Sequence, residues 1–216
     1  MTKEEQDAKA WAEWKAAHPE ASVPHPSAAP THEFLWLDLE TTGLDPHTGL
    51  VLEFAAVLCE DARGDDFAIV QQYTGVIGAT AEAFTAARAT CSKCVLGMHA
   101  RNGLWADAAA SDTTAEEVDA FLAALACDLS GGRKHSITLA GSSVHFDLAW
   151  CRVHFPAFAE YLSHRVFDVS TMRRAVDAWC GGAVQWPVRD THRALADVLA
   201  SIAECRAARD ALRWWG

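Results

Sequence analysis

The sequence predicts an α/β fold, a mixed five-stranded sheet flanked by helices. Short apolar runs suited to strands fall at 34–39, 50–60, 67–74, 136–140 and 165–169. The first three follow one another with only turns between them, as in a meander. The last two alternate with helical stretches, which places helices on the faces of a sheet. At 216 residues the chain suits one domain, over 32–216, with an N-terminal arm over 1–31.

The arm is alanine-rich and charged, and Trp11 and Trp14 are spaced to share one helical face. His18-Pro19 ends that helix, and Pro24, Pro26 and Pro30 mark a linker. Phe34 to Leu39 forms the opening strand and breaks at Thr41-Thr42-Gly43. Leu50–Glu60 and Phe67–Thr74 follow as strands, joined by a turn at Arg63-Gly64-Asp65-Asp66. Residues 80–110 read as helix interrupted around Gly97 and Gly103. Thr113 or Thr114 stands three residues before Glu116 or Glu117, a capping-box pattern for a helix over 111–130. Val118, Phe121, Leu122 and Leu125 form the buried stripe of that helix, and Gly131-Gly132 stops it. Ser136–Ala140 is a buried strand, and a helix starts near Val144 with Asp147 in its first turn. A helical piece runs from Pro156 to His164, a strand covers Arg165–Val169, and Ser170 caps a helix reaching Trp179. The last helix runs from near Thr191 to about Trp214.

Composition narrows the functional classes. No apolar run approaches the roughly 20 residues of a membrane span. The N-terminus carries Glu4, Glu5, Asp7 and Glu13 and no apolar signal core, which predicts a cytoplasmic protein. Seven cysteines without a second zinc-spaced pair read as free thiols of a reducing compartment; Cys91-Ser92-Lys93-Cys94 alone has redox or metal spacing. The net charge of −11 disfavours a protein that tracks long nucleic acid, because phosphate neutralisation needs basic excess. A short, locally held substrate stays compatible with it.

Within this frame four acids and one histidine stand out: Asp38, Glu40, Asp147, His192 and Asp197. Asp38 and Glu40 are two apart on a strand and so share a face. Two such charges repel unless neutralised, and a hard divalent cation is the usual neutraliser. His192 and Asp197 are five residues apart, about 140° off a common face on one continuous helix. Both line one site only if His192 lies in the segment entering the helix and Asp197 in its first turns. Pro187 and Asp190-Thr191 allow that.

The segments LDLETTGLDP, GSSVHFD, FDVST and HRALADVLASIAE, in this order, resemble the DEDDh family of 3′-to-5′ exonucleases, which has an RNase H-like fold. The last three, with MHARNGL, are most similar to its oligoribonuclease branch. The resemblance covers about residues 33–212. It implies a hydrolase that uses two Mg²⁺ or Mn²⁺ ions to release 5′-mononucleotides from the 3′ end of short single-stranded RNA, with DNA as a further substrate. By similarity Asp38 bridges both ions, Glu40 and Asp197 serve the first and Asp147 mainly the second. His192 is then the general base. Thr41, Gly43, Leu44, His99, Asn102, Ser142, His164 and Arg165 match substrate-contacting positions. Leu44 is the wedge between the last two bases. Arg165 is contributed across a homodimer to the 5′ phosphate, for which an arginine fork is suited.

Departures from the branch fall in its substrate-binding positions. Thr41 stands where methionine is usual, as in proofreading-type relatives. Cys94 replaces an expected tryptophan, His164 a tyrosine and Asn102 a serine. Loss of an aromatic platform and a phosphate-capping phenol leaves the hydrolytic set whole but removes grounds for a strict dinucleotide preference. Two alternatives stay open: a proofreading or repair DNA exonuclease, and a non-catalytic nucleic-acid-binding protein that kept the fold.

Overall fold

The computed structural model describes residues 34–59, 68–180, 184–187 and 191–213. The arm over 1–31 with its tryptophans, and the turn at 63–66, lie outside the described residues. The strands are β1 (Phe34–Thr41), β2 (Val51–Cys59), β3 (Ile69–Val76), β4 (Ile137–Gly141) and β5 (Leu162–Asp168). They form one sheet in the order β3-β2-β1-β4-β5. The meander β1-β2-β3 is antiparallel, whereas β4 runs parallel to β1, and β5 parallel to β4.

Alternation along β1 sorts its side chains onto two faces. Leu35, Leu37 and Leu39 join a core with Phe54, Leu58, Phe121, Leu122, Leu125 and Trp150. Trp36 packs on the opposite face with Ala55, Val57, Ala194, Val198 and Ile202. Each large side chain so buried contributes about 1.5–3 kcal/mol, enough to hold β1 at the sheet centre despite its two carboxylates. The parallel pairing of β1 with β4 covers only Phe34–Trp36 against Thr138–Ala140. Beyond it the strands part. A Cβ on Gly141 would lie 2.7 Å from the Leu37 carbonyl oxygen, so only glycine allows β4 to end this close to β1. The resulting opening at the strand ends is where ligands bind in open α/β sheets.

The helices are α1 (Ala81–Thr90), α2 (Lys93–Arg101), α3 (Leu104–Ala110), α4 (Ala115–Ser130), α5 (His145–His154), α6 (Pro156–Ala159), α7 (Val169–Trp179) and α8 (Ala194–Arg213). The capping box at α4 is Thr114 with Glu117, its predicted apolar stripe is buried, and Gly131 at φ 60° closes it. Four expectations need correction. The break in 80–110 falls at Cys91-Ser92 as well as Gly103, while α2 runs through Gly97. The Ser92 hydroxyl accepts from the Val95 N–H and starts a new helix, whereas an interior glycine costs only about 1 kcal/mol. The piece after Pro156 is a single turn, capped by the buried Asp119 carboxylate on the Ala157 and Phe158 N–H groups, and the chain is already in β5 by Leu162. The cap of α7 is Asp168 rather than Ser170, because its carboxylate accepts from both the Ser170 and Thr171 N–H groups. Finally, α8 starts at Ala194, which leaves Thr191–Arg193 as an entry segment.

All seven cysteines are free thiols. Among the described residues no helix is long and apolar enough to cross a membrane.

Candidate active site

Asp38 and Glu40 share the face of β1 that carries Trp36, the face covered by α8. Asp197 meets them from the first turn of α8. One carboxylate oxygen from each of Asp38, Glu40 and Asp197 lies within 4.8 Å of the others. Glu40 and Asp197 are buried, and Asp38 is half-buried.

Asp147 reaches the same place from the other face of the sheet. It sits in the first turn of α5 and is 4 % exposed. Its Oδ1 accepts from the Leu39 N–H at 2.9 Å. That N–H lies on β1 beyond its last pairing with β4, so a side chain takes the bond the parting strand would have supplied. Four acids that are distant in sequence therefore converge where β1 and β4 separate.

Their mutual cost is visible in their proton affinities. Burial, followed by the charges of Asp38, Asp197 and Glu53, pushes the Glu40 carboxyl up to about 8, against a smaller opposing pull from Arg193. Burial and the Asp38 charge likewise hold Asp147 well above the usual carboxylate range, despite the Leu39 N–H. A site with only oxygen donors, crowded to the point of holding protons, fits hard divalent cations. Asp38, Glu40 and Asp197 could hold one such ion.

His192 lies in the entry segment with its backbone in the left-handed region, φ 46°, and is exposed. Its ring is near enough to His99 for its charge to disfavour protonation there. The β1 turn presents Leu44 to solvent at 85 % exposure. A Cβ added to Gly43 would meet nothing within 4 Å, so that glycine leaves open space beside the acids.

The remaining expected substrate positions differ in what their side chains already hold. The Thr41 hydroxyl donates to the Gly43 carbonyl at 2.9 Å, inside the turn. His99 is fully buried. Its Nε2 lies 3.0 Å from the Thr41 carbonyl and 3.9 Å from Glu40, and burial lowers its pKa, so a neutral ring donates to that carbonyl. His99 thus supports the strand end from behind and has no surface to offer a substrate. Asn102 ends α2, and its amide donates to the carbonyls of Thr191 and His192. The Ser142 hydroxyl joins Ser201 and Glu204 of α8 at 3.3 and 3.5 Å. It ties β4 to α8 instead of pointing into the cleft. His164 and Arg165 are exposed on the edge strand β5, and Cys94 is exposed on α2.

Sequence reasoning missed Glu53, Arg193 and Asp107. Glu53 stands opposite Glu40 in the β1–β2 register and is 5 % exposed. Its carboxylate takes a bidentate fork from Arg193 at 2.8–3.1 Å and the Ala194 N–H at 2.9 Å. Asp107 accepts from the remaining arm of the guanidinium at 3.0 Å. The signal was present: an acid inside the otherwise apolar VLEFAAVLC is almost never buried unpaired.

Comparison with known proteins agrees with this geometry. Residues 35–205 match the family model described as Exonuclease, RNase T. The chain is 32 % identical over 176 residues to an oligoribonuclease of Corynebacterium diphtheriae, covering 79 % of this chain and 78 % of that one. It is 30 % identical to an oligoribonuclease of Neisseria meningitidis over 81 % of this chain and 89 % of that protein. Against a probable oligoribonuclease of Schizosaccharomyces pombe it is 28 % identical, covering 79 % of this chain but 64 % of that protein. The structure is similar to E. coli exonuclease I, solved in a zinc-bound complex with single-stranded DNA. The TM-score is 0.62 and the identity 19 %, and the match covers 82 % of this chain and 40 % of that one. At that identity the likeness concerns the fold.

Proposed function

Because the chain belongs to the exonuclease family, in its DEDDh superfamily and oligoribonuclease-like, we propose that it is a metal-dependent 3′-to-5′ exonuclease acting on short single-stranded oligonucleotides. The preferred substrate is RNA, and short DNA is also cut. The observation that carries the proposal is the convergence of Asp38, Glu40 and Asp197 oxygens within 4.8 Å, in a largely buried cluster where crowding pushes the Glu40 carboxyl up to about 8. Asp38, Glu40 and Asp197 would hold one Mg²⁺ or Mn²⁺, and Asp38 with Asp147 a second. When bound, such ions neutralise the acids, acidify an attacking water and stabilise charge developing on the phosphate.

The chain's own residues supply the rest. His192 takes the proton from the water that attacks phosphorus, a role suited to an imidazole. The P–O3′ bond breaks, and a 5′-mononucleotide leaves. Leu44, held out at 85 % exposure, stacks against the terminal bases. Gly43 leaves their backbone room to approach. In a homodimer, Arg165 on the edge strand β5 would present its fork to the 5′ phosphate bound by the partner subunit. A negative chain can hold such a substrate because attraction is confined to the site, with little demand for a long basic track.

The test is a length series. RNA and DNA of about two to seven nucleotides, labelled at the 5′ end, are incubated with Mn²⁺ or Mg²⁺. A ladder shortening from the 3′ end is expected, faster on RNA. No shortening of either polymer, beside an active control enzyme, refutes the reading. Faster cutting of DNA at every length would instead favour a proofreading or repair role, the direction in which Thr41 departs from the oligoribonuclease branch.

A further inference from the structure

The left-handed backbone of His192 (φ 46°) is unfavourable for a residue with a Cβ and persists only where its surroundings hold it. Two devices hold it here. The Asn102 side chain donates to the His192 carbonyl at 2.6 Å and to the Thr191 carbonyl at 3.3 Å, while its own Oδ1 accepts from the Leu104 N–H at 3.1 Å. Both amide hydrogens and one acceptor position are thus committed to backbone. On the other side of His192, Arg193 is forked onto the buried Glu53, and the same carboxylate takes the Ala194 N–H. The arm of Arg193 that meets Asp107 also reaches back to the Asn102 carbonyl at 3.4 Å, which closes a bracket around the histidine.

We infer that Asn102 and Glu53, the latter through Arg193, are positioning residues that fix the direction in which His192 projects from the entry of α8. This rests on His192 acting as the base. A substrate-contact role for Asn102 has little chemistry left to use, since its two donors are spent. A role for Glu53 as a metal ligand is disfavoured for the same reason: both of its oxygens are engaged by Arg193 and the Ala194 N–H. Their register placement gives the bracket a purpose. Glu53 lies beside Glu40 on the next strand, so one rigid strand pair fixes both the acidic floor and the histidine above it.

The experiment measures kcat and KM on an end-labelled RNA trinucleotide, with Mn²⁺ affinity by calorimetry. The variants are Asn102→Ala, Glu53→Gln, His192→Ala and the double variant Asn102→Ala with His192→Ala. Glu53→Gln keeps the side-chain shape, and Asn102→Ala serves if the Glu53 variant fails to fold. We expect Asn102→Ala to lower kcat about 10–100-fold, the scale of a misplaced catalytic group, with KM and Mn²⁺ affinity within about twofold. In the His192→Ala background the same substitution should cost nothing further, because the group it positions is gone. A raised KM at unchanged kcat would make Asn102 a substrate contact and overturn the inference. Equal losses in both backgrounds would make it merely structural and overturn it as well. If His192→Ala is slow while Asn102→Ala turns over normally, only the positioning role falls. If His192→Ala turns over normally, the base assignment falls and takes the bracket with it.

Discussion

The acidic floor and the α2–α3 segment border the same cleft, yet their polar side chains have opposite fates. In the floor, Asp38, Glu40, Asp147 and Asp197 are pressed together until Glu40 retains a proton to about 8. Far from the floor in sequence, His99 Nε2 and the Asn102 amide spend their hydrogen bonds on the carbonyls of Thr41, Thr191 and His192. The floor keeps its polarity for a ligand, whereas the segment uses its polarity to shape the backbone. A polar side chain near a site is therefore a ligand candidate only to the extent that its donors and acceptors are not already consumed.

The sharpest way to break this contrast is to remove a floor carboxylate. Asp38→Ala should abolish turnover of a labelled trinucleotide and weaken Mn²⁺ binding measured by calorimetry. The fold should survive, because the substitution relieves repulsion with Glu40 and Asp147. Wild-type turnover in this variant would end the assignment of the floor as a metal centre.

A second effect follows from the proton affinity itself. The Glu40 carboxyl rises from an ordinary 4.5 in the unfolded chain to about 8 in the fold, so the folded state binds more protons between those values. The stability that this carboxyl contributes to the metal-free protein is therefore fullest below pH 4.5 and is lost as pH rises through 8. Between pH 5.5 and 8.5 the expected loss is on the order of 3 kcal/mol, and Asp147 acts in the same direction. Thermal melts at pH 5.5 and 8.5 after chelation should show Tm falling with pH, and Mn²⁺ should restore more at the higher pH. A chelated protein whose Tm rises over that interval would contradict the crowding of the floor.

How much of this was legible in the sequence differs along the same line. Five strands, the α4 capping box and the order of the acidic motifs were readable, because strand period, cap chemistry and apolar runs are local signals. The five-residue gap between His192 and Asp197 let both line one site only if the helix started between them; α8 does start at Ala194, later than the Thr191 start read from the sequence. What was not readable depends on direction. Nothing local shows that His99 turns inward to the Thr41 carbonyl, that Ser142 faces Ser201 on α8, or that Arg193 swings back to Glu53 on β2. Asp168 displaced Ser170 as the cap of α7 for a similar reason: which of two nearby cap residues wins depends on where β5 ends.

The inward turn of His99 makes a smaller, separable prediction. His99→Leu removes the donor to the Thr41 carbonyl and leaves that oxygen unsatisfied beside Glu40, a cost of about 1–3 kcal/mol. A fall in Tm of about 2–12 °C is expected at this chain length, together with a lower kcat, because the strand end carrying Glu40 loses its support. KM should hold. A raised KM at unchanged Tm would place the ring in the cleft and erase the distinction between the two regions.

The smallest effect lies at the rim. Leu44 is 85 % exposed, and truncating it removes no core contact, so Leu44→Ala should leave Tm within about 1 °C. An exposed leucine of this kind would bury apolar surface only when bases cover it, at about 25 cal/mol per Å² removed from water. Removing it should raise KM for a dinucleotide about three- to tenfold, as expected for about 1 kcal/mol of lost contact, and kcat should change less. The effect should shrink as substrates lengthen, because each added nucleotide brings contacts of its own. An equal rise in KM across the series would mean that Leu44 senses something common to every substrate and does not act as the wedge between the terminal bases.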